Sequence, residues 1–187
     1  MNIVRIFMTD VKATLCLEQM GGEMLPKPLF DLSRVDFDRV EIPIEEIRKI
    51  NAQRYEFEQI DGIFQLFPEE EVVVGYRDIR SDEFWVRGHI PGSPLFPGVL
   101  MIEAAAQLCS YYLQRFHPTN GFFGFGGVEG VRFRAAVRPG DRMILVGKGI
   151  QVHPRKSTFE TQAFVRNALV FEGTIIGVTI RKEKLGG

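Results

Sequence analysis

The stretch that decides the fold is VLMIEAAAQLCSYYL, residues Val99–Leu113. It has no Gly or Pro and many strong helix formers, so it predicts one continuous helix of roughly 25 Å. Apolar side chains lie on nearly every side of that helix, which is typical of a buried helix. Glu103 is the one charged side chain within it. A carboxylate buried without a partner is costly or keeps its proton, so Glu103 is paired, used chemically, or on a face that reaches the surface or a dimer seam.

The sequence around this helix predicts mainly strands. The candidate strands are rich in β-branched or aromatic residues, or alternate apolar and polar positions. They are Val72–Val74, Phe84–Val86, Val131–Val137, a strand starting over Met143–Val146, Thr158–Val170 and Phe171–Ile180. Short turns between them, such as Pro139–Asp141, favour an antiparallel meander over βαβ crossovers. One buried helix against such a sheet makes an α+β domain.

The N-terminal part of the chain offers no residues suited to chemistry. A short strand is predicted at Ile3–Phe7, followed by loop. Pro43 suits a first helical position, and apolar residues recur at helical spacing after it: Ile44, Ile47 and Ile50. We therefore expect an N-terminal extension of unknown role over residues 1–42 and one catalytic domain over residues 43–187.

Composition excludes several classes of protein. The 187 residues suit a single domain, and 23 Lys and Arg against 24 Asp and Glu give a net charge of −1, without the basic excess of a nucleic-acid module. Two cysteines, Cys16 and Cys109, are too few for a disulfide framework. No apolar run is long enough to span a membrane, and the first twenty residues show no signal-peptide pattern. We expect a cytoplasmic protein without a nucleic-acid or membrane partner.

The segment before the helix, GHIPGSPLFPG at residues 88–98, holds three prolines and three glycines. It is a stiff loop that leads directly into the helix, whose first amides have no acceptor within the helix and attract an oxyanion or a polarised carbonyl. His89 can take or give a proton at neutral pH, although a single loop histidine is more often without function. Gln107 lies one turn after Glu103 and can orient it. A base, an acid and a helix end together indicate a proton-abstraction site.

The run from Gly88 to Gln107 resembles the signature of the 3-hydroxyacyl-acyl-carrier-protein dehydratases of the FabZ type. The spacing from His89 to Glu103 matches the catalytic pair of that family. RYEF at residues 54–57 and VRFRAAVRPGD at residues 131–141 are similar to further family motifs. The resemblance covers roughly residues 45–180. It implies the hot-dog fold, in which an antiparallel sheet wraps a long central helix.

The resemblance also implies roles for individual residues. His89 would remove the C2 proton of a 3-hydroxyacyl thioester, and Glu103 would help to expel the C3 hydroxyl as water. Gly98, Val99 and Gln107 would bind substrate, with the Gly98 amide on the thioester carbonyl. No metal or cofactor is expected. The implied partners are acyl-carrier protein and a second copy of the chain, in a homodimer or dimer-based higher oligomer whose acid and base come from opposite protomers.

Two residues depart from the family pattern, and three alternative functions remain beside the one that the resemblance implies. Ile90 stands where Phe is usual, and Glu56 where Pro is usual, and we expect these differences to affect the shape of the acyl tunnel rather than the reacting groups. A hot-dog thioesterase, a CoA-linked hydratase and a catalytically idle hot-dog subunit are the alternatives. The glycine-rich run at residues 121–127 suggests either a flap over an acyl tunnel or a plain turn. Three arginines are candidates for a basic patch that binds the carrier protein: Arg132, Arg134 and Arg138.

Overall fold

The computed structural model describes residues 27–119 and 121–181 of the chain. The strand predicted at Ile3–Phe7, and Cys16, lie outside the described residues. The strands are β1 (Ile42–Pro43), β2 (Gly62–Phe67), β3 (Val72–Asp78), β4 (Gly121–Phe133), β5 (Arg142–Gln151), β6 (Lys156–Val165) and β7 (Ala168–Arg181). The α-helices are α1 (Ile44–Ile47) and α2 (Gly98–Phe116).

The seven strands form one sheet in the order β1-β2-β3-β5-β6-β7-β4. Every neighbouring pair is antiparallel. Side chains alternate between the two faces, so Val73 belongs to the core around α2 while Val72 and Val74 belong to a second core on the other face. An antiparallel sheet around a long central helix is the α+β hot-dog fold, and this prediction is confirmed.

Helix α2 follows the limits that its sequence sets. Pro97 occupies the N-cap position at its start. The helix ends at Phe116, two residues before Pro118, because the residue that precedes a proline disfavours helical geometry. Nine of its side chains are buried: Met101, Ala104, Ala105, Gln107, Leu108, Cys109, Tyr111, Tyr112 and Leu113. The prediction of a buried helix is confirmed, but burial is incomplete at its start, where Val99 is 70% exposed.

Two strand glycines allow α2 to lie close to the sheet. A Cβ on Gly75 would stand 2.7 Å from the Leu108 side chain and 2.8 Å from a backbone oxygen. A Cβ on Gly147 would stand 3.1 Å from the Cys109 sulfur. Both contacts are tight, so these positions favour glycine because the helix packs directly over the backbone of the sheet.

The N-terminal strap, residues 27–40, covers the face of the sheet opposite α2. Phe30 and Val35 are 7% and 8% exposed and pack with buried residues of three strands. Those strand residues are Phe64, Val72, Val74, Ile144 and Val146. Gln162 fixes the start of the strap, since its Oε1 accepts from the Leu29 amide at 2.9 Å and its Nε2 donates to the Lys27 carbonyl at 3.2 Å.

Two local expectations about strands are wrong. Phe84–Val86 forms turns between β3 and α2 instead of a strand, and Trp85 is buried there. The strand predicted at Val131–Val137 ends at Phe133 as part of β4. The flap or turn expected at residues 121–127 is also β4, which pairs with β7 along its length. Gly126 lies at a bulge in this pairing, where a Cβ would meet Val178 at 2.8 Å.

The last hairpin and the first helix differ from prediction at their ends. The strands β6 and β7 meet at Arg166 and Asn167, whose φ angles of +48° and +68° suit a tight hairpin turn. The expected boundary lay after Val170. Helix α1 begins at Ile44 with Pro43 just before it, and Ile47 is buried as expected from the apolar spacing. Among the described helices, none has the length and hydropathy to span a membrane.

Candidate active site

The loop between residues 88 and 97 is held in shape by main-chain hydrogen bonds. The His89 amide donates to the Trp85 carbonyl at 2.8 Å, and the Leu95 amide donates to the His89 carbonyl at 2.9 Å. The Phe96 amide donates to the Val137 carbonyl at 2.8 Å, which attaches the end of the loop to the segment after β4. These bonds place His89 on a closed loop just ahead of α2.

One hydrogen bond determines which nitrogen of His89 can act as a base. The Nδ1 atom lies 2.8 Å from the Leu95 carbonyl oxygen. A carbonyl only accepts, so a neutral imidazole must carry its proton on Nδ1 and leave Nε2 unprotonated. Because His89 is exposed, Nε2 is available to take a proton from a substrate.

The start of α2 presents the amides of Gly98 and Val99. Amides at these positions have no acceptor within a helix and lie at the positive end of its dipole. The Phe133 ring lies over Gly98, and a Cβ there would stand 2.7 Å from the ring. Glycine therefore keeps this helix end compact, and Val99 remains largely exposed beside it.

Glu103 lies one and a half turns further along α2 and is partly buried. Burial is the main influence on its carboxyl and raises its pKa, against smaller opposing effects of hydrogen bonds from Gln107 and Gln53. The Gln107 Nε2 donates to Glu103 Oε1 at 2.7 Å. A carboxyl with a raised pKa holds its proton more readily and so suits a general acid.

Gln107 is 2% exposed, and its amide group is fully engaged by the protein. The Gln107 Nε2 donates to the Phe57 backbone carbonyl at 2.6 Å as well as to Glu103. The Gln107 Oε1 accepts from the backbone N–H of Gln59 at 2.9 Å. This acceptor contact fixes which end of the amide faces Glu103. Because both of its N–H groups have protein acceptors, Gln107 is placed to orient the acid.

Sequence reasoning missed the residues that hold this network. Asn51 is buried, and its side-chain amide donates to the backbone carbonyl of Gln107 at 3.0 Å. The Gln53 side chain hydrogen-bonds to Glu103 itself. The RYEF motif pointed to the right segment, since the Phe57 carbonyl belongs to it. The part played by Leu95 uses only its backbone carbonyl, for which a side-chain pattern carries no signal.

Several large apolar side chains, some of them next to site residues, are exposed in the single chain. Ile90 is 50% exposed next to His89, and Phe133 is 51% exposed over Gly98. Other large exposed apolar residues include Tyr55, Phe57, Phe84, Val99 and Phe125. No hydrogen bond joins His89 to Glu103 within the described part of the chain. Large exposed apolar patches usually mark a binding surface or an interface.

The three candidate arginines do not form one uniform patch. Arg134 donates to Glu172 at 2.9 Å and 2.5 Å and is only partly exposed. Arg138 is exposed and reaches the loop that carries His89, residues 88–97, called the active loop below, with a hydrogen bond of 3.2 Å to Ser93 Oγ. Arg132 is exposed. Among residues 27–119 and 121–181, no group of His, Cys, Asp and Glu has the arrangement of a metal site.

Comparison with known proteins identifies relatives of this chain. A family model described as a FabA-like domain matches residues 51–176. A 3-hydroxyacyl-acyl-carrier-protein dehydratase FabZ from Lawsonia intracellularis is 34% identical over 144 residues, covering 75% of this chain and 94% of that protein. The same enzyme from Teredinibacter turnerae is 37% identical over 139 residues, covering 72% and 94%.

A solved structure supports the fold independently. The dehydratase heterocomplex ApeI:P from Xenorhabdus doucetiae superposes with a TM-score of 0.63 over 74% of this chain and 93% of that chain. The sequence identity is only 12%, so this likeness shows the hot-dog fold alone.

The fold and the matched region, which contains every candidate site residue, define a hot-dog protein with a FabA-like domain. Within that class, the chain belongs to the FabZ-type family of 3-hydroxyacyl-acyl-carrier-protein dehydratases, which are hydro-lyases. The family resemblance drawn from the residues is thus confirmed.

Proposed function

We propose that the protein dehydrates (3R)-3-hydroxyacyl-acyl-carrier protein to the trans-2-enoyl thioester in fatty acid synthesis. The observation that carries this proposal is the difference between two titratable groups. His89 has its Nδ1 committed to the Leu95 carbonyl and is suited to accept a proton at Nε2. Burial raises the pKa of Glu103, which suits it to donate one. A dehydration needs one group of each kind.

In the proposed reaction, His89 Nε2 takes the proton from C2 of the acyl chain. The electrons of that C–H bond form the C2–C3 double bond as the C3–O bond breaks. Glu103 donates its proton to the departing hydroxyl, which leaves as water. The Gly98 amide holds the thioester carbonyl while negative charge develops on it, an interaction typically worth about 10²–10³ in rate. Gln107 acts by orienting Glu103. Val99 lies next to Gly98 at the start of α2, where the substrate binds in this proposal.

We propose that the site is shared by two chains in a homodimer. Glu103 is only partly buried in one chain, and Ile90, Val99 and Phe133 next to the site are 50%, 70% and 51% exposed. Strand β4 is also an edge strand, so its outer backbone groups lack sheet partners among the described strands. A second copy related by a twofold axis would cover both features. His89 of one protomer would then work with Glu103 of its partner.

The proposed carrier of the substrate is acyl-carrier protein, which presents the acyl chain on a phosphopantetheine arm. Arg138 supports this proposal because it is exposed and touches the active loop at Ser93. Arg132 is a second exposed arginine nearby in sequence. The reaction requires neither a metal nor a nucleotide, and we propose a cytoplasmic location on the low cysteine content.

We also propose that residues 43–187 carry all reacting groups and that residues 1–42 carry none. Each candidate catalytic and substrate-binding residue lies in the first range. The described part of residues 1–42 includes the strap, which packs on the face of the sheet opposite α2. Its proposed contribution is therefore to stability.

The test is a direct assay of the purified protein. The 3-hydroxyacyl and 2-enoyl thioesters, on carrier protein and on CoA, are incubated with it while the enoyl absorbance is followed. A thiol reagent monitors free thiol in parallel. Interconversion of the two thioesters without thiol release, faster on carrier protein than on CoA, is the expected result. Thiol release would instead indicate a thioesterase, a preference for CoA would indicate a hydratase, and no turnover would indicate an idle subunit.

A further inference from the structure

A buried ion pair lies beside the active loop and supplies none of the proposed reacting groups. Arg77 on β3 is 2% exposed, and its guanidinium donates to Glu83 at 2.5 Å and to Asp61 at 3.2 Å. The Glu83 side chain is only 7% exposed. Buried ion pairs cost desolvation and add little net stability compared with apolar residues. A role in fixing local geometry explains the pair better than stability does.

The Glu83 carboxylate connects strand β3 to the turn that follows it. Besides Arg77, its Oε1 accepts from the Arg80 amide at 2.8 Å, and its Oε2 accepts from the Trp85 indole N–H at 3.1 Å. Three donors, at the end of β3 and in the turn after it, thus converge on one carboxylate. This contact explains why Phe84–Val86 forms a turn rather than a strand.

Trp85 in turn holds both ends of the loop that carries His89. Its carbonyl accepts from the His89 amide at 2.8 Å. Its ring packs edge-on against Phe96, with 5.5 Å between the ring centroids, and Phe96 lies two residues before Gly98. The contact between His89 Nδ1 and the Leu95 carbonyl lies between these two anchors.

We propose that Arg77, Glu83 and Trp85 form a positioning relay that sets the place and tautomer of His89. The relay links the central sheet to an exposed histidine on a loop without regular structure. The inference rests on the proposed function in one respect, since it takes His89 as the base. A misplacement of about 1 Å can cost a hundredfold in rate, so such a loop benefits from a rigid support.

The test uses full-length protein with Glu83→Gln and Trp85→Phe. The first keeps the shape of the carboxylate but removes its charge, and the second removes the indole N–H while keeping a ring against Phe96. Each should lower kcat about ten- to a hundredfold with KM changed less than about threefold. Arg77→Lys keeps the charge and should retain more activity than Arg77→Met. Glu70→Gln, which breaks the exposed pair with Arg34, is the matched control and should leave kcat unchanged.

A readout on His89 itself separates positioning from a general loss of structure. The chain has three histidines, so ¹⁵N-histidine labelling with His89→Ala for assignment identifies the His89 ring signals. The wild type should show the Nδ1–H tautomer, and both relay variants should show a larger share of the Nε2–H tautomer at an unchanged overall fold. Folded variants with wild-type ring signals, or with kcat within about threefold of wild type, would overturn the proposal.

Hydrogen exchange tests the relay without any substitution. The His89 amide of the wild type should exchange slowly, at a rate close to those of the β3 amides, because the relay anchors its acceptor. Exchange near the rate of an unstructured peptide would overturn the proposal even if neither variant folds. A wild type without dehydratase turnover would contradict the proposed function, while the ring signals and amide exchange would still report on the relay.

Discussion

The strap offers the most direct test of how the second core contributes to stability. Phe30 is 7% exposed, its ring lies 4.5 Å from the Phe67 ring between centroids, and the Arg34 guanidinium lies 4.7 Å above it. Phe→Ala in a core costs about 3–5 kcal/mol, and the lower end applies here because a surface strap can partly collapse into the space. For a domain of this size, about 3 kcal/mol lowers Tm by roughly 6–12 °C.

The assay compares Phe30→Ala with wild type by calorimetry and by turnover below the lower Tm. The strap lies on the face opposite α2, so kcat per folded molecule should stay within about threefold of wild type. Ile150→Ala is the control, since Ile150 is 54% exposed and its loss should shift Tm by less than about 2 °C. A shift that small for Phe30→Ala would refute the packing argument. A tenfold loss of kcat in folded protein would refute the separation of the strap from the site.

Four further predictions concern the site and the domain boundary. His89→Ala and Glu103→Gln should each lower kcat at least about a hundredfold in folded protein, as steady-state kinetics would show. Folding raises the pKa of the Glu103 carboxyl, so the stability linked to its protonation is present at acid pH and lost as pH rises through the folded pKa. The gain in Tm from Glu103→Gln should therefore be larger at pH 8 than at pH 4. Equal gains at the two pH values would contradict a pKa of Glu103 that burial raises. Co-expressed His89→Ala and Glu103→Gln chains should recover roughly a quarter of wild-type activity if sites are shared, because about half of the dimers are mixed and each mixed dimer has one intact site of two. Purified mixed dimers that are no more active than either parent would exclude a shared site. A chain starting at Glu41 should have a lower Tm because it lacks the strap, yet keep turnover within about tenfold while folded. A larger loss in folded protein would contradict the proposal, because it would show that residues 1–40 contribute to turnover.

The sequence by itself determined the parts of the protein that depend on neighbours along the chain. Helix α2 was predictable because helix propensity and the lack of Gly and Pro act over consecutive residues. The loop with His89, the helix end at Gly98 and the acid at Glu103 lie within one short segment. The residues alone therefore indicated an α+β domain with a proton-abstraction site, and the resemblance of this segment to the FabZ-type signature implied the hot-dog fold and the proposed chemistry.

Only the tertiary structure decided the features that depend on how loops and strands meet in space rather than on the residue pattern of one helix or strand. The Phe84–Val86 run has strand propensity, but the bond from the Trp85 indole to Glu83 and the packing of Trp85 on Phe96 hold it as a turn. The glycine-rich start of β4 forms a strand because β7 supplies its hydrogen bonds. The tautomer of His89 depends on a backbone carbonyl, and every residue carries the same backbone group. The turn and the tautomer depend on single contacts within one loop, which no periodic pattern of residues marks, and β4 forms only when the chain brings β7 beside it.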